Sequence, residues 1–324
     1  MKSKHYISED YIINKYLKKI NFKKDETFDF KNDAAFFKIP KDKKLIVTND
    51  TILESIDFFK NDSSESIANK IVTCNLSDIS SMGAVPYAYT LSLCLPKTVT
   101  RNWLKKFINK LFYLQKKYNF FLIGGDLSRS KKIIVSSNFF GFVNKNRILS
   151  RDGSKINDNI WVTGNLGESS IGLKIIKNKI KINKEEKNYF LKKYYYPKHF
   201  LFGQKLINYA SSAIDISDGF YGDLDKLISS HNLGAEIDSK LIPFSNKAKK
   251  LIQKKLIKIN FLLSAGDDYQ LIFTASDKYS LKIKKIAKLN NVKITKVGKI
   301  TQKKGIYLDS KKINFINKSF QHFF

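Results

Sequence analysis

Asn75-Leu-Ser-Asp-Ile-Ser-Ser-Met-Gly-Ala-Val-Pro86 closes a segment that reads as a helix. Asp62 and Glu65 have the spacing of a capping box, and apolar residues then recur at Ile67, Ile71 and Cys74. At 100° per residue Asp78 falls between Ile67 and Ile71 on that stripe, with Asn75 and Met82 beside it. A carboxylate in the middle of an apolar face is costly to bury unless something pairs with it. A lone acid there has a plain alternative, a surface helix whose stripe frays at its end. What separates the two readings is whether other acids along the chain occupy comparable positions.

They do. Residues 27–37 read as an extended segment carrying Asn32 and Asp33. Leu45-Ile-Val-Thr-Asn-Asp50 and Phe120-Phe-Leu-Ile-Gly-Gly-Asp126 both read as apolar strands that end in acid, where loops carry chemistry on a rigid sheet. The glycine pair Gly124-Gly125 is either a plain strand-to-turn connection or a place where backbone N–H groups approach a ligand. Ala213-Ile-Asp-Ile-Ser-Asp-Gly219 alternates, with Ile214 and Ile216 on one side and Asp215 and Ser217 on the other. It leads into a helix with Phe220, Leu224, Leu227 and Ile228 inward and Asp223 in its first turn, where an acid is often only a cap. Ser264-Ala-Gly-Asp-Asp-Tyr-Gln-Leu-Ile-Phe273 is a glycine turn with two acids before a strand.

Between these motifs the pattern predicts a short amphipathic helix in residues 1–20 and strands at 87–95, 133–143, 160–164, 294–300 and 306–308. A helix capped by Thr100 runs to about Lys117, with Trp103, Leu104, Phe107, Ile108, Leu111 and Leu114 inward. Helices are also expected at 171–177, behind a glycine turn, and at 185–196, ending before Pro197. The polar stretch 144–153 marks a domain boundary, giving domains 1–146 and 147–324.

The 324 residues suit two domains with a sizeable core. No apolar run approaches the roughly 20 residues of a membrane span, and the first residues lack a signal-peptide pattern, so a cytoplasmic location is expected. Cys74 and Cys94 sit in apolar segments and read as buried free thiols without metal spacing. The net charge is +30, which by itself suggests a nucleic-acid or anionic-surface partner. The lysines are dispersed, however, and arginine occurs only at positions 101, 129, 147 and 151, whereas base readers lean on arginine. Abundant Lys, Asn, Ile, Phe and Tyr match AT-rich coding, so no dedicated nucleic-acid partner is expected.

Asp33, Asp50, Asp78, Asp126, Asp215 and Asp218 punctuate apolar elements in both halves. Brought together they would form a hard, oxygen-lined site, suited to Mg²⁺ rather than Zn²⁺ and hence to a polyphosphate substrate. There is no P-loop and no protein-kinase motif set. His5, His199, His231 and His322 stand apart from every acidic motif, so a histidine base has no evident actor.

Asn75-Leu-Ser-Asp78 with Met82-Gly-Ala, Gly124-Gly-Asp126, Arg151-Asp-Gly-Ser, Trp161-Val-Thr-Gly164, Ile214-Asp-Ile-Ser-Asp-Gly219 and Gly266-Asp-Asp-Tyr269 occur in one order along nearly the whole chain. In this the sequence resembles the thiamine-monophosphate kinases. The resemblance implies an α+β (mixed α/β), two-domain aminoimidazole ribonucleotide synthetase-like fold. Its N-terminal sheet domain would form a homodimer and its C-terminal domain an α/β sandwich. It implies transfer of the ATP γ-phosphate to thiamine monophosphate, giving thiamine diphosphate, with several Mg²⁺ ions. Metal binding is implied for Asp33, Thr48, Asn49, Asp50, Asp78, Asp126, Asp215 and Asp218. Of these, Asp78, Asp126 and Asp215 bear most directly on catalysis. ATP is implied at Gly125, Arg151 and Ser217, and the thiamine part at Asp57, Asp267 and Asn317.

The chain departs from that pattern in four places. Lys31-Asn32-Asp33 replaces Gly-Asp-Asp, and Thr48-Asn49-Asp50 replaces Ser-Thr-Asp. Asp57 stands where a histidine is usual, and Asn317 where an aromatic is usual. These departures keep open a related ATP-dependent enzyme acting on another small phosphorylated substrate. A basic nucleic-acid-binding protein is the remaining alternative. Selenophosphate synthetase would call for a reactive Cys near the N-terminus, and none precedes Cys74; the Asp-Gly-Val-Gly-Thr-Lys pattern of aminoimidazole ribonucleotide synthetase is absent. A phosphate monoester has a second pKa near 6, so its oxygen is already ionised at neutral pH and needs no base. Direct in-line transfer follows as the simplest mechanism.

Overall fold

A computed structural model describes residues 7–229 and 232–313. The chain divides into two compact units: one holds residues up to Ile79 together with Val85–Lys145, the other Ser80–Ala84 and the chain from Asn146 onward.

The first unit begins with α1 (Glu9–Lys15), capped by the Ser8 hydroxyl, and the short α2 (Lys24–Thr27). Four strands follow with two helices between them: β1 (Lys43–Leu53), α3 (Ser64–Ser81), β2 (Val85–Leu95), α4 (Arg101–Tyr118), β3 (Phe121–Arg129) and β4 (Ile134–Asn144). The sheet order is β1-β4-β2-β3. β4 runs antiparallel to both neighbours, and β2 and β3 are parallel, as their connection through α4 requires. One sheet face carries Tyr89 and Phe139, buried and stacked with ring centroids 5.1 Å apart. On the other, Phe37 packs against Tyr87, Phe140 and Phe142.

Several boundaries differ from the expected ones. Asp62 and Glu65 do not form a capping box. The Asp62 carboxylate accepts the Phe59 N–H and closes the preceding turn, and the Ser63 hydroxyl takes the N–H of Ser66 at the start of α3. Helix α3 is not striped either: Ser66, Asn69, Thr73 and Ser77 are buried along with Ile67 and Ile71. Residues 27–30 are helical turns, not extended chain. Cys74 is buried but Cys94 only partly so.

The strands also run past their acids. Asp50 lies three residues from the end of β1 and Asp126 three from the end of β3. Gly124-Gly125 is therefore not a turn. The β2–β3 register slips by one residue there, so that Tyr89 faces Leu122 but Thr90 faces Gly124. A Cβ on Gly125 would lie 1.9 Å from the Leu91 carbonyl oxygen, whereas Gly124 has open space.

The second unit is a seven-stranded sheet in the order β11-β10-β7-β9-β5-β8-β6 with helices on both faces. Its elements are β5 (Asn159–Thr163), α5 (Glu168–Ile176), α6 (Lys184–Tyr195), α7 (Gly203–Leu206), β6 (Ser212–Ile216), α8 (Phe220–Ser229) and β7 (Gly234–Ile237). There follow α9 (Asn246–Gln253), α10 (Ile259–Ser264), β8 (Gln270–Ala275), α11 (Ser280–Leu289), β9 (Ile294–Thr301), β10 (Gly305–Leu308) and β11 (Lys311–Lys312). Ile214, Ile216 and Ile272 join one apolar cluster, and Ala213, Leu271 and Phe273 the other. The alternation expected in β6 is present, but both faces are covered, so Asp215 is buried at 4 % exposure.

The strand geometry yields a paired prediction. Gly125→Ala should lower stability by about 1–3 kcal/mol, since backbone must move to admit a methyl group. Gly124→Ala should change it by less than about 1 kcal/mol. Thermal denaturation of both variants checks this, and equal melting points would contradict the close approach at Gly125.

Candidate functional site

In the first unit the pleat sorts the acids. Asp50 stands in a row with Ser137, Leu91 and Gly125 across the four strands, and Asp126 in the next row with Ser92, Ser136 and Thr51. Successive side chains leave opposite faces of a sheet, so Asp50 and Asp126 do not share one.

On the first face, the Thr48 hydroxyl donates to Asp78 Oδ2 at 2.5 Å, joining β1 to α3. Asp50 is two residues on, hence on the same side of β1. Its Oδ2 is buried without a hydrogen-bond partner. Burial, with the charges of Asp78 and then Asp57 nearby, pushes the Asp50 carboxyl up to about 7. Asp57 is otherwise occupied: its Oδ2 accepts the Leu53 N–H at 2.8 Å and closes the turn after β1.

On the second face, Asn49 points away from Thr48 and Asp50. Its amide donates to Asn138 Oδ1 at 2.9 Å, and Asn138 in turn donates to Thr90 at 2.9 Å. The amide that replaces the usual hydroxyl thus links three strands. Asp126 is exposed and accepts the Ser128 hydroxyl at 2.6 Å. Asp126, Gly124, Gly125, Thr90, Asn32 and Asp33 line a cleft of 360 Å³, which brings Asp33 and Asp126 together.

In the second unit Ser217 and Asp218 form the turn between β6 and α8. The buried carboxylate of Asp223 holds that turn, its Oδ2 accepting the N–H groups of Ser217 at 3.1 Å and Asp218 at 3.0 Å. Lys226 bridges Asp223 Oδ1 at 2.8 Å and Asp218 Oδ2 at 2.6 Å. The neighbouring loop is tied to the same turn, with the Asp267 N–H donating to the Ser217 carbonyl at 2.9 Å. A Cβ on Gly266 would lie 2.2 Å from that carbonyl oxygen. Asp267 adopts φ 68° and accepts the Tyr269 hydroxyl at 2.7 Å. Beside it, Asp268 is buried, accepts the Gly167 N–H at the start of α5, and is pushed up by burial to about 8. Arg151 is exposed in a turn whose Ser150 carbonyl accepts the Ala213 N–H of β6. Asn317 lies outside the described residues.

The sequence reading missed Asp223, Asp268 and Lys226. Asp223 was visible as an acid in a first turn, but the N–H groups that it accepts lie upstream of the helix, a reach that spacing does not announce. Among the described residues no group of three or more His, Cys, Asp or Glu side chains is assembled to hold a metal. That does not conflict with a Mg²⁺ site, because Mg²⁺ is commonly held by one or two carboxylates plus water and substrate phosphates. The donor set fits such an ion: Asp50 and Asp78 supply hard oxygens, one of them buried and unpartnered. No described helix is long and apolar enough to cross a membrane.

Residues 31–143 match the AIR synthase related protein N-terminal domain, and residues 155–311 the corresponding C-terminal domain. The thiamine-monophosphate kinase of Buchnera aphidicola subsp. Acyrthosiphon pisum is 40% identical over 319 residues, 96% of this chain and 98% of that protein. The chain belongs to the thiamine-monophosphate kinase family. Among solved structures, the thiamine-monophosphate kinase of Stenotrophomonas maltophilia K279a superposes with a TM-score of 0.80 at 27% identity, over 87% of this chain and 90% of that one. AaThiL complexed with AMPPCP and TMP superposes at 0.77 and 26%, over 98% and 97%. The two-domain, mixed α/β architecture is that of the family.

A raised Asp50 in this kinase-family sheet has a stability signature. Its folded pKa lies above its unfolded one, so the folded state binds the extra proton, and stability falls as pH rises from about 4 through 7. In chelator, Asp50→Asn should therefore melt higher than the unsubstituted protein at pH 8, by at least about 2 °C. The advantage should shrink at pH 5. A difference that does not change with pH would mean that Asp50 titrates normally.

Proposed function

We propose that the protein transfers the γ-phosphate of ATP to the phosphate of thiamine monophosphate, giving thiamine diphosphate and ADP. The observation that carries this reading is family membership over nearly the full chain, joined to acids placed for hard-cation and phosphate chemistry in both units. An oxygen of the acceptor phosphate forms the new bond to the γ-phosphorus. The bond between that phosphorus and its bridging oxygen to the β-phosphate breaks, and its electron pair leaves with ADP. No proton has to be removed from the acceptor, whose second pKa is near 6. Among the described residues the one histidine, His199, is buried, pushed down to about 4 by that burial, and bonded to the Tyr269 carbonyl.

What the protein supplies is position and charge. Asp33 and Asp126 in their cleft, and Thr48, Asp50 and Asp78 on the other sheet face, would hold Mg²⁺; within the second unit Asp215 is the acid that would serve as a ligand. When bound, the ion supplies neutralisation of two anions that must approach in line. Arg151 is exposed and offers a guanidinium to nucleotide phosphate, and Gly125 leaves backbone accessible beside Asp126. The Ser217 turn is held rigid by Asp223, which suits a residue that orients nucleotide. Asp267 is proposed to face the thiamine part, with its carboxylate oriented by Tyr269. Asp57 and Asn49 are less suited to ligand contact, since each is engaged within the first unit. We further propose that the protein works as a homodimer in the cytoplasm.

Purified protein with Mg²⁺-ATP and thiamine monophosphate should form thiamine diphosphate with one ADP per product. ATP consumption without that product would point to another small phosphorylated acceptor. Asp126→Asn should lower turnover at least about tenfold, equivalent to roughly 1.4 kcal/mol of barrier, and should reduce the rise in melting temperature that Mg²⁺-nucleotide produces. Unchanged turnover and an unchanged shift would remove Asp126 from the site. Duplex DNA should bind weakly and release steeply with salt. Sequence-dependent binding at physiological salt would favour a nucleic-acid role.

A further inference from the structure

Asp218 follows the buried strand β6 and, on sequence grounds, was expected to be a metal ligand. In the structure it already has a cation. Lys226 Nζ lies 2.6 Å from Asp218 Oδ2 and 2.8 Å from Asp223 Oδ1. We infer that in this chain the Lys226 ammonium takes the cation position at Asp218, so that Asp218 serves as an ion-paired anchor of the Ser217–Asp218 turn instead of a divalent-metal ligand. The inference rests on the metal-dependent reading above, and concerns which acids that reading can use.

Three observations carry it. First, Lys226 is fixed by helix geometry: it stands three residues after Asp223 on α8, the spacing at which side chains meet. Second, Lys226 is not free to leave. Asp223 is 1 % exposed, and withdrawing the ammonium would strand a buried carboxylate, which costs far more than an exposed pair returns. Third, the remaining capacity of Asp223 is spent on the backbone of the same turn, since Oδ2 accepts the N–H groups of both Ser217 and Asp218. The Asp218 backbone and its carboxylate are therefore fixed by the same pair. A divalent ion on Asp218 would either sit against the ammonium, where like charges repel, or displace it and leave Asp223 unpaired. A built-in ammonium neutralises the turn without either penalty.

Mn²⁺ binding to the full chain, counted by electron paramagnetic resonance with and without a non-hydrolysable ATP analogue, tests this apart from turnover. Asp218→Asn should leave the number of bound Mn²⁺ ions unchanged and their affinities within about twofold, while lowering the melting temperature. Lys226→Arg should behave like the unsubstituted protein. Lys226→Met exposes two acids to one vacancy, and should gain a Mn²⁺ ion or bind one at least about tenfold more tightly. Where that variant fails to fold, Asp223→Asn combined with Lys226→Met removes the stranded charge and is expected to show the same gain, weaker by one carboxylate. Loss of a Mn²⁺ ion in folded Asp218→Asn would overturn the inference, as would no gain on removing the ammonium. Absence of any Mn²⁺ binding by the unsubstituted protein would instead defeat the metal-dependent reading; a gain in Lys226→Met would then still support the inference and no gain would overturn it.

Discussion

The pleat of the first sheet decides which of its acids can act together. A strand sends successive side chains to opposite faces, and the pairing of β1, β4, β2 and β3 keeps those faces aligned across the unit. Asp50 consequently meets Asp78 on α3, while Asp126 meets the segment bearing Asp33. A one-residue slip in register would exchange these partners. The slip at Thr90/Gly124 sets the register of the residues that follow it on β3, Asp126 among them. Gly125 is the residue that makes the resulting close approach tolerable. The placement of the first unit's acids therefore rests on a backbone irregularity as well as on strand pairing.

Much of this was legible in the sequence, for physical reasons that can be named. Helix α4 announces itself through a Thr100 cap and an inner stripe, and the structure shows Thr100 accepting the Trp103 N–H with that stripe buried from Leu104 to Leu114. Strands β5, β6 and β8 were readable as short apolar runs because both of their faces are covered. Less legible were the places where tertiary contacts override local signals. An acid after an apolar run looks like a strand end, but Asp50 and Asp126 are carried within longer strands because β4 continues to pair beside them. Asp62 has the spacing of a cap, yet it serves the turn before α3, and Ser63 takes its place. Residues 239–264 form a turn and two short helices with brief apolar faces, elements too short to build up a helical period.

The residues that could not be found from spacing share one property. Asp223 and Asp268 are buried carboxylates whose partners are backbone N–H groups at the ends of other elements. A carboxylate accepting amide hydrogens fixes a loop without presenting itself to solvent, so it leaves no periodicity in the sequence. Both sit beside residues expected to touch a ligand: Asp223 behind Ser217, expected at ATP, and Asp268 behind Asp267, expected at the thiamine part. Burial raises the carboxyl pKa in each, although Lys226 works against that at Asp223. A partly exposed loop residue is thus held in place by a buried neighbour.

A chain of net charge +30 whose proposed site is acidic faces opposite demands at different ranges. Exposed charges more than about 8 Å apart are screened in physiological salt, so the dispersed lysines act as a weak general attraction for anions rather than as a docking surface. Close to the site the sign reverses, and carboxylates would repel the very phosphates that the wider surface attracts. Something positive has to stand between acid and phosphate. In the Ser217–Asp218 turn the positive charge beside the acids is Lys226, a side chain carried by the helix that follows. Among the described residues no side chain pairs with Asp50 Oδ2, and the carboxyl is left with a buried, unpartnered oxygen and a raised pKa. The difference between these two acids is the difference between a charge satisfied by folding and one left for a ligand to satisfy. Under the proposed function only the second kind could couple neutralisation of the site to arrival of substrate, since a cation with its phosphates would supply the charge that folding does not.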